Sequence, residues 1–236
     1  AKEVGAKVAF ISQHKKKRSR GLKLNRLLNT DIHWVVQLDY CIEPLSWFQK
    51  TKLALFNRPS PKNVGAVYSV ISESFTKQTL KKFNLICDEY FVFNAGSGGH
   101  KTSDGFASDI FFESARIISQ KHQLTCIVIF GNNYPKQLPK VHPDEKLYGL
   151  KSLENSQFIG LLLDAKGIVI GGGDTLLQAI ELGINSVVSA VSKDQPKRIK
   201  RCEFNPTVYH SQLTIKDQVN NIELMLKAPI NRLSLP

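Results

Sequence analysis

Two glycine-rich stretches of this chain have residue types that suit the binding of phosphate groups. The first, AGSGGH at 95–100, follows an apolar run, and the second, GGGDT at 171–175, follows another. Glycine lets a phosphate approach the backbone N–H groups, because no Cβ stands in the way. A helix that begins after each stretch would add unpaired N–H groups and about half a positive elementary charge. The pattern therefore predicts an anion-binding loop at each place.

Both stretches differ from the best-known nucleotide-binding loops. Neither has the G-x-G-x-x-G spacing of dinucleotide-binding domains, and neither ends in the G-K-[ST] of NTPase loops, so these two chemistries are disfavoured. A glycine turn can also serve only to lead a strand into a helix. Two such loops after strands of one sheet favour a phosphorylated ligand that spans them. We therefore expect that a bulky residue at Gly98 abolishes nucleotide binding and leaves the fold intact.

The elements that would position these loops alternate between strand and helix. Apolar runs predict strands at 7–12, 32–40, 66–71, 89–94, 124–130, 146–150, 167–170 and 185–191. Apolar residues three or four positions apart predict helices at 44–56, 72–83, 104–121, 152–165, 174–182 and 214–227, and a leucine-bearing crossover helix after the first strand. Continuous apolar strands favour a parallel sheet that is covered on both faces. We therefore expect an α/β fold, with a doubly wound, Rossmann-type domain at 88–236 and a shortened α/β domain at 1–87.

The charge of the chain indicates an anionic ligand or partner, because the net charge is +12 and the pI is near 9.6. The most basic stretch, 14–26, is interpreted either as a solvated surface or as a contact for an anionic membrane surface or a phosphorylated acceptor. No nucleic-acid-binding module accompanies the charge, so nucleic acid is not expected as a partner.

Several features of the sequence bear on location and cofactors. Lys2, Glu3 and Lys7 interrupt the first apolar run, so no signal peptide is expected. The apolar runs are all far shorter than the roughly 18 residues that cross a bilayer. The four cysteines lie far apart and form no C-x-x-C pair. We expect a cytoplasmic protein that can associate with a membrane surface and that needs no metal or cofactor.

The stretch from 171 onward, GGGDTLLQAIELGINSVVSAVSKDQPKR, resembles the donor-binding half of GT-B glycosyltransferases. That half has a Gly-Gly turn after a strand, then Thr, an acidic residue, a small helix that ends at Gly, and a D-Q pair after the next strand. The matching residues here are Gly172, Gly173, Thr175, Gly183, Asp194 and Gln195. The resemblance covers 64–236, with FNAGSGG at the place of the family's first glycine turn. Within the superfamily it is similar to the N-acetylglucosaminyltransferase that acts on lipid-linked peptidoglycan precursors and to the UDP-sugar hydrolase of pseudaminic acid synthesis.

The resemblance implies a metal-independent glycosyltransferase that moves a sugar from a nucleoside-diphosphate donor, expected to be UDP-linked, to an acceptor that carries phosphate or a lipid. It assigns the donor's phosphates to Gly96, Ser97, Gly98 and Gly99, the pyrophosphate to Gly172, Gly173, Asp174 and Thr175, and the sugar to Asp194 and Gln195. His14 follows the first strand, where the family often has an active-site histidine, and is the candidate general base; a surface histidine without a role is the alternative. Hydrolysis of a nucleotide sugar and binding without turnover are the alternative functions.

Two features depart from the family. Gln178 stands where the family has the acidic residue that holds the ribose hydroxyls, and its amide can donate and accept hydrogen bonds but carries no charge. The part of the chain that precedes the matching region is shorter than a full acceptor-binding domain, so we expect either a shortened form of that domain or segments that are absent from this sequence.

Overall fold

The computed structural model describes residues 4–69 and 73–227. The chain divides into two compact units, Ala1–Val67 and Tyr68–Pro236. The predicted domain boundary lies later, after residue 87. The difference arises because the helix that follows residue 72 packs within the larger unit.

The smaller unit is built on a parallel three-stranded sheet. Its elements are, in chain order, β1 (Ala9–Ser12), α1 (Lys15–Gly21), α2 (Leu24–Leu27), β2 (Ile32–Val35), α3 (Trp47–Leu55) and β3 (Lys62–Asn63). The strands are ordered β1-β2-β3 in the sheet. The strand β3 lies in a stretch for which neither a strand nor a helix was predicted. The strand predicted at 66–71 lies partly outside the described residues, and its described part, 66–69, is not strand.

His33 is buried in the smaller unit and is held in its neutral form. Its Nε2 atom lies 3.0 Å from Ser12 Oγ, and its ring packs edge-on against Phe10 with 5.0 Å between the ring centroids. Burial first, and then the positive charge of Arg18, lowers the pKa of His33 from 6.5 to about 4.

We expect the stability of this unit to fall as the pH drops from 6.5 to about 4. In that interval the unfolded chain binds a proton at His33 and the folded chain does not, so acid favours the unfolded state. Urea unfolding at about pH 7 and about pH 4.5 measures the effect, and His33→Gln should lose less stability on acidification than the wild type. Equal losses in both proteins would show that His33 is not responsible.

The larger unit contains a parallel six-stranded sheet. Its elements are, in chain order, α4 (Glu73–Lys82), β4 (Tyr90–Asn94), α5 (Ala107–His122), β5 (Thr125–Ile129), β6 (Leu147–Leu150), α6 (Asn155–Leu163), β7 (Gly167–Gly171), α7 (Asp174–Glu181), β8 (Ser186–Ser189), α8 (Gln195–Cys202), β9 (Val208–Ser211) and α9 (Ile215–Leu226). The order of the strands is β6-β5-β4-β7-β8-β9, so the winding reverses between the neighbours β4 and β7. This is the doubly wound, Rossmann-type arrangement, and it confirms the predicted fold class. The elements α8 and β9 were not predicted.

The two faces of this sheet carry different helices. Phe91 and Phe93 of β4 belong to an apolar cluster with buried residues of α5 and α9. Tyr90 points to the opposite face, since side chains alternate along a strand, and its hydroxyl donates a 2.6 Å hydrogen bond to the carbonyl of Leu161 in α6. Because the step from β7 to β8 runs in the direction opposite to the step from β4 to β5, right-handed crossovers place α7 on the α6 face. We refer to the α5/α9 face and the α6/α7 face.

Candidate functional site

The two glycine-rich loops leave the sheet side by side. In the parallel pair of β4 and β7, Asn94 lies opposite Ile170, so the loops 95–99 and 171–173 begin at nearly the same level. The winding of the sheet reverses at this point, and ligands of doubly wound sheets bind there, beyond the carboxyl ends of the strands. The structure therefore brings the two predicted loops together at one edge of the sheet.

The buried side of the first loop packs against the loop that follows β5. Gly98 has a φ of +87°, and a Cβ added to it would lie 2.2 Å from the carbonyl oxygen of Phe130 and 2.8 Å from the backbone nitrogen of Tyr134. The carbonyl of Ser97 accepts a 2.8 Å hydrogen bond from the backbone N–H of Asn133. Gly98 is thus required for the close approach of two backbones. The expectation that a bulky residue at Gly98 leaves the fold intact is wrong.

The open side of the first loop is formed by Gly96, Ser97 and Gly99, which are exposed. Gly96 has a φ of +89°, and a Cβ added to it would meet only His100 Nε2, at 3.8 Å. Its backbone N–H donates a 2.9 Å hydrogen bond to Asn94 Oδ1, which closes a tight turn directly after β4. Space for a ligand therefore exists beside Gly96 and not beside Gly98.

The sequence predicted that a helix begins soon after the first loop, at residue 104, but in the structure other backbone contacts come first. Lys101 and Phe106 form a short antiparallel bridge, and α5 begins only at Ala107. The side chain of Asp109 accepts a 2.9 Å hydrogen bond from the backbone N–H of Phe106, so this helix start is already capped by its own carboxylate. Any anion held by the first loop is bound by the loop's own N–H groups.

A cavity of about 440 Å³ opens beside Gly96 and Ser97. It lies at the carboxyl ends of β4, β5 and β6, and we call it the β4–β6 cavity. The polar and aromatic side chains that line it, beyond the first glycine loop, are Asn94, Asn132, Asn133, Ser152, Asn155 and Phe158. Its volume is in the usual range for small-molecule sites, and amides beside an aromatic ring suit a flat, polar heterocycle.

Sequence reasoning missed these side chains, although one signal was present. The triplet GNN at 131–133 directly follows the apolar run that forms β5. It therefore had to lie at the same carboxyl edge as the glycine loops. The asparagine at 155 gave no comparable signal, because its place depends on where α6 begins. In the structure Asn155 Oδ1 accepts hydrogen bonds from the backbone N–H and the hydroxyl of Ser69, at 3.2 and 2.8 Å.

The second loop leads directly into α7, as predicted. Gly173 occupies the N-cap position, and Asp174 and Thr175 are the first two residues of the helix. Asp174 is exposed and Thr175 is half-buried. The backbone N–H groups of this first turn have no partner within the helix and carry the positive end of its dipole, so they can receive an anion at the sheet edge.

Gln195 fixes the second loop from one side. Its Oε1 atom accepts hydrogen bonds from the backbone N–H groups of Gly172, at 3.0 Å, and Val191, at 2.8 Å. The residue is buried, so the amide is held in one orientation. A Cβ added to Gly173 would lie 3.9 Å from the Nε2 atom, and this nitrogen has no hydrogen-bond partner among residues 4–69 and 73–227. The amide N–H groups are therefore available to a ligand beside the start of α7.

Arg198 adds a positive charge at the same place. Its Nη1 atom donates a 3.1 Å hydrogen bond to the carbonyl of Gly172 and lies 3.6 Å from Asp174 Oδ1. Only 12% of the side chain is exposed, so the guanidinium group is held in position. The signal for this residue was the sequence DQPKR, because Pro196 favours the start of a helix and positions 195 and 198 then share a face.

The other predicted site residues lie in varied surroundings. Gln178 is buried on α7, one turn after Asp174. Asp194 is exposed at the start of α8, and its Oδ1 atom accepts a 2.7 Å hydrogen bond from the Ser192 hydroxyl. His14 is exposed in the smaller unit, where it precedes α1 and follows the carboxyl end of β1. The roles assigned to these three residues stay predictions.

Within 4–69 and 73–227, His, Cys, Asp and Glu side chains form no group of three or more that could hold a metal ion. In the same residues, every helix is too short or too polar to cross a bilayer.

The comparisons with known proteins give a likeness of fold. No protein-family model matches the chain, and no curated protein does. A UDP-GlcNAc 2-epimerase from Methanocaldococcus jannaschii, solved with UDP-GlcNAc and UDP, matches with a TM-score of 0.58 and 14% identity over 95% of this chain and 70% of that one. A UDP-N-acetylglucosamine 2-epimerase from Rickettsia bellii matches with a TM-score of 0.54 and 11% identity, over 96% and 60% of the two chains. The glycosyltransferase of kitacinnamycin matches with a TM-score of 0.55 and 11% identity, over 91% and 52%. At these identities the likeness shows a GT-B-like fold, and the chain spans between half and about two thirds of the length of these structures.

Proposed function

We propose that the larger unit binds a nucleoside-diphosphate sugar and that the protein transfers the sugar to an acceptor. The observation that carries the proposal is the arrangement around the start of α7, where Gln195 and Arg198 lie beside unpaired helix N–H groups. A diphosphate is the group that best matches a fixed cation, an amide donor and a helix N-terminus in one place. The neighbour solved with UDP-GlcNAc and UDP supports a uridine nucleotide.

The donor is proposed to extend along the carboxyl edge of the sheet. The base occupies the β4–β6 cavity, and the backbone N–H group of Ser97 receives the phosphate next to the ribose, because the N–H group of Gly96 is engaged by Asn94. The second phosphate lies at Thr175 and Arg198, and Asp194 reaches the sugar. Gln178 replaces a carboxylate in the proposed contact to the ribose, so we expect a weaker hold on the ribose hydroxyls.

The chemistry follows from where charge develops. When the bond between the sugar's C1 and the phosphate oxygen breaks, its electron pair stays on the diphosphate, which becomes more negative. Arg198 and the N–H groups of α7 are already oriented, so they stabilise this charge more than the charge of the intact donor. The acceptor hydroxyl that attacks C1 loses a proton, and we propose His14 as the base that takes it.

The acceptor is proposed to carry phosphate or a lipid, and the basic stretch 14–26 to contact it or an anionic membrane surface. Lys16, Lys17 and Arg20 of this stretch are exposed, whereas Arg18 is buried and donates a 3.3 Å hydrogen bond to the carbonyl of Pro44. The contact therefore rests on the exposed cations alone. Sedimentation with phosphatidylglycerol vesicles but not with phosphatidylcholine vesicles supports it, and no difference between the two rejects it.

A product assay with UDP-GlcNAc tests the reaction. Release of UDP only when an acceptor fraction is present supports transfer. Free sugar without acceptor identifies a nucleotide-sugar hydrolase instead. A UDP-sugar altered at C2 identifies the second candidate, a 2-epimerase, which the named neighbours favour. Binding of the donor with no product after long incubation rejects turnover and leaves a nucleotide-sugar-binding protein.

A further inference from the structure

A second cavity, of about 710 Å³, lies at the carboxyl edge on the α5/α9 face. Its walls are the hairpin 101–106, the loop 190–193 after β8, and residues 213–215 at the start of α9. We call it the α5/α9 cavity. Its volume is within the range of small-molecule sites. None of the described residues that line the α5/α9 cavity was predicted to bind the donor.

The turn between β8 and α8 separates this cavity from the proposed donor site. Ser192, Lys193 and Pro196 line the cavity, whereas the Gln195 side chain bonds to Gly172 at the start of the second glycine loop. One side of this short turn thus faces the cavity, and the other side faces the proposed donor site. A ligand in the α5/α9 cavity would contact a different set of side chains from the donor.

The floor of the cavity is apolar. Phe106, Ile110, Leu213 and Ile215 line it, and all four are only half-buried in the structure. Apolar surface that stays in contact with water is unfavourable in proportion to its area. A ligand with an aliphatic part would remove this surface from water.

Two exposed lysines from different segments of the chain line the cavity, and we call them the rim lysines. Lys101 belongs to the hairpin and Lys193 to the loop after β8, and both are exposed. Within residues 4–69 and 73–227, neither side chain has an acidic partner. Because both lysines line the same cavity, we expect both positive charges to attract an anion that enters it.

The acidic side chains of the lining do not cancel this charge. Both oxygens of Asp109 are already engaged, one by the Tyr134 hydroxyl at 2.5 Å and the other by Lys136 Nζ at 2.7 Å. Asp104 accepts a 2.8 Å hydrogen bond from the Ser103 hydroxyl. The two rim lysines outnumber this one remaining carboxylate, so the mouth favours an anion.

We propose that the α5/α9 cavity binds a small amphipathic anion, an aliphatic chain with a phosphate head group. The chain lies on the apolar floor, and the head group lies between Lys101 and Lys193. The proposal does not rest on the proposed function, because it uses neither the glycine loops nor Arg198.

Calorimetric titration with octyl phosphate, below its critical micelle concentration, tests the class of ligand. We expect one saturable site, with binding at least about tenfold weaker for inorganic phosphate, which lacks the chain, and for octyltrimethylammonium, which has the opposite charge. The proposal is overturned if octyl phosphate does not bind, or if inorganic phosphate or octyltrimethylammonium binds as tightly as octyl phosphate.

Three variants place the site. The double substitution K101A/K193A should weaken octyl phosphate at least about tenfold, whereas K200A, which removes an exposed lysine outside the cavity, should leave affinity unchanged. Ile110→Trp should fill the floor and abolish binding, and its melting temperature shows whether it folds. If K101A/K193A binds octyl phosphate as tightly as the wild type, the site lies elsewhere and the proposal is wrong, whether or not the protein binds UDP.

Discussion

Arg198→Ala should weaken the binding of UDP by roughly 10- to 100-fold, because a hydrogen bond to a charged group contributes roughly 1.5–3 kcal/mol. In the structure the guanidinium group is largely buried and is fixed by the carbonyl of Gly172, so it needs little reordering to meet a phosphate. Removing it leaves the helix N–H groups and the Gln195 amide in place. Residual binding is therefore expected, and isothermal titration at low ionic strength measures the loss.

The matched control for Arg198 is Lys200→Ala. Lys200 lies on the same helix and is exposed, and its replacement by alanine changes the net charge of the protein by the same amount. If only the overall positive field attracted the nucleotide, both variants would lose the same affinity. Equal losses, or full affinity in Arg198→Ala, would contradict the assignment of the diphosphate to the start of α7.

Gly98→Ala should lower the melting temperature by roughly 5–15 °C, which is a large change for one methyl group. The left-handed conformation of this residue costs an L-amino acid about 1–2 kcal/mol. The added Cβ would also lie 2.2 Å from the carbonyl oxygen of Phe130, and relieving such a contact moves the backbone at a further cost of about 1–3 kcal/mol. Calorimetry or thermal circular dichroism measures the shift.

Gly96→Ala is the matched control for Gly98→Ala. It has nearly the same φ, +89°, but its added Cβ meets nothing closer than His100 Nε2 at 3.8 Å. Only the conformational cost applies, so its melting temperature should fall by a few degrees at most. If the two variants melt together, the close approach of the two loops at Gly98 is not present in solution.

The contrast between these two glycines shows where sequence reasoning ends. Both belong to one cluster and look alike as letters. The difference lies in Phe130 and Tyr134, which approach Gly98 from a loop far along the chain. Nothing local to 95–100 indicates which glycine faces a neighbouring backbone and which faces open space.

The sheet was predictable because its signal is local and strong. The strands β4, β5 and β7 are continuous apolar runs, and helices with apolar stripes separate them. The carboxyl edge followed from parallel strands, so both glycine loops could be placed beside each other before any coordinates.

The missed helix α8 has the opposite character. In QPKRIKRC only Gln195, Ile199 and Cys202 are buried, so the apolar stripe has too few members to stand out from its basic neighbours. Because α8 was not predicted, Arg198 was not predicted as a site residue either. The direction of its side chain follows from its place on this helix. The site was therefore half predictable: its loops were read from glycine and strand patterns, whereas its fixed cation depended on an element without a clear apolar period.

The predicted boundary between the two domains differs from the boundary between the two compact units for a related reason. The helix α4 was assigned to the first domain because it precedes the strong strand β4. In the structure α4 packs against α6, whose position depends on the crossover from β6 to β7. Sequence order alone does not show such a pairing.

If the larger unit binds uridine diphosphate at the start of α7 and in the β4–β6 cavity, UDP should stabilise the folded protein. The melting temperature of the wild-type chain with increasing UDP tests this binding directly. The melting temperature should keep rising with the logarithm of the UDP concentration, and the stabilisation should reach about 2.7 kcal/mol when UDP stands at about 100 times its dissociation constant. An unchanged melting temperature at millimolar UDP would contradict the binding of UDP by the larger unit.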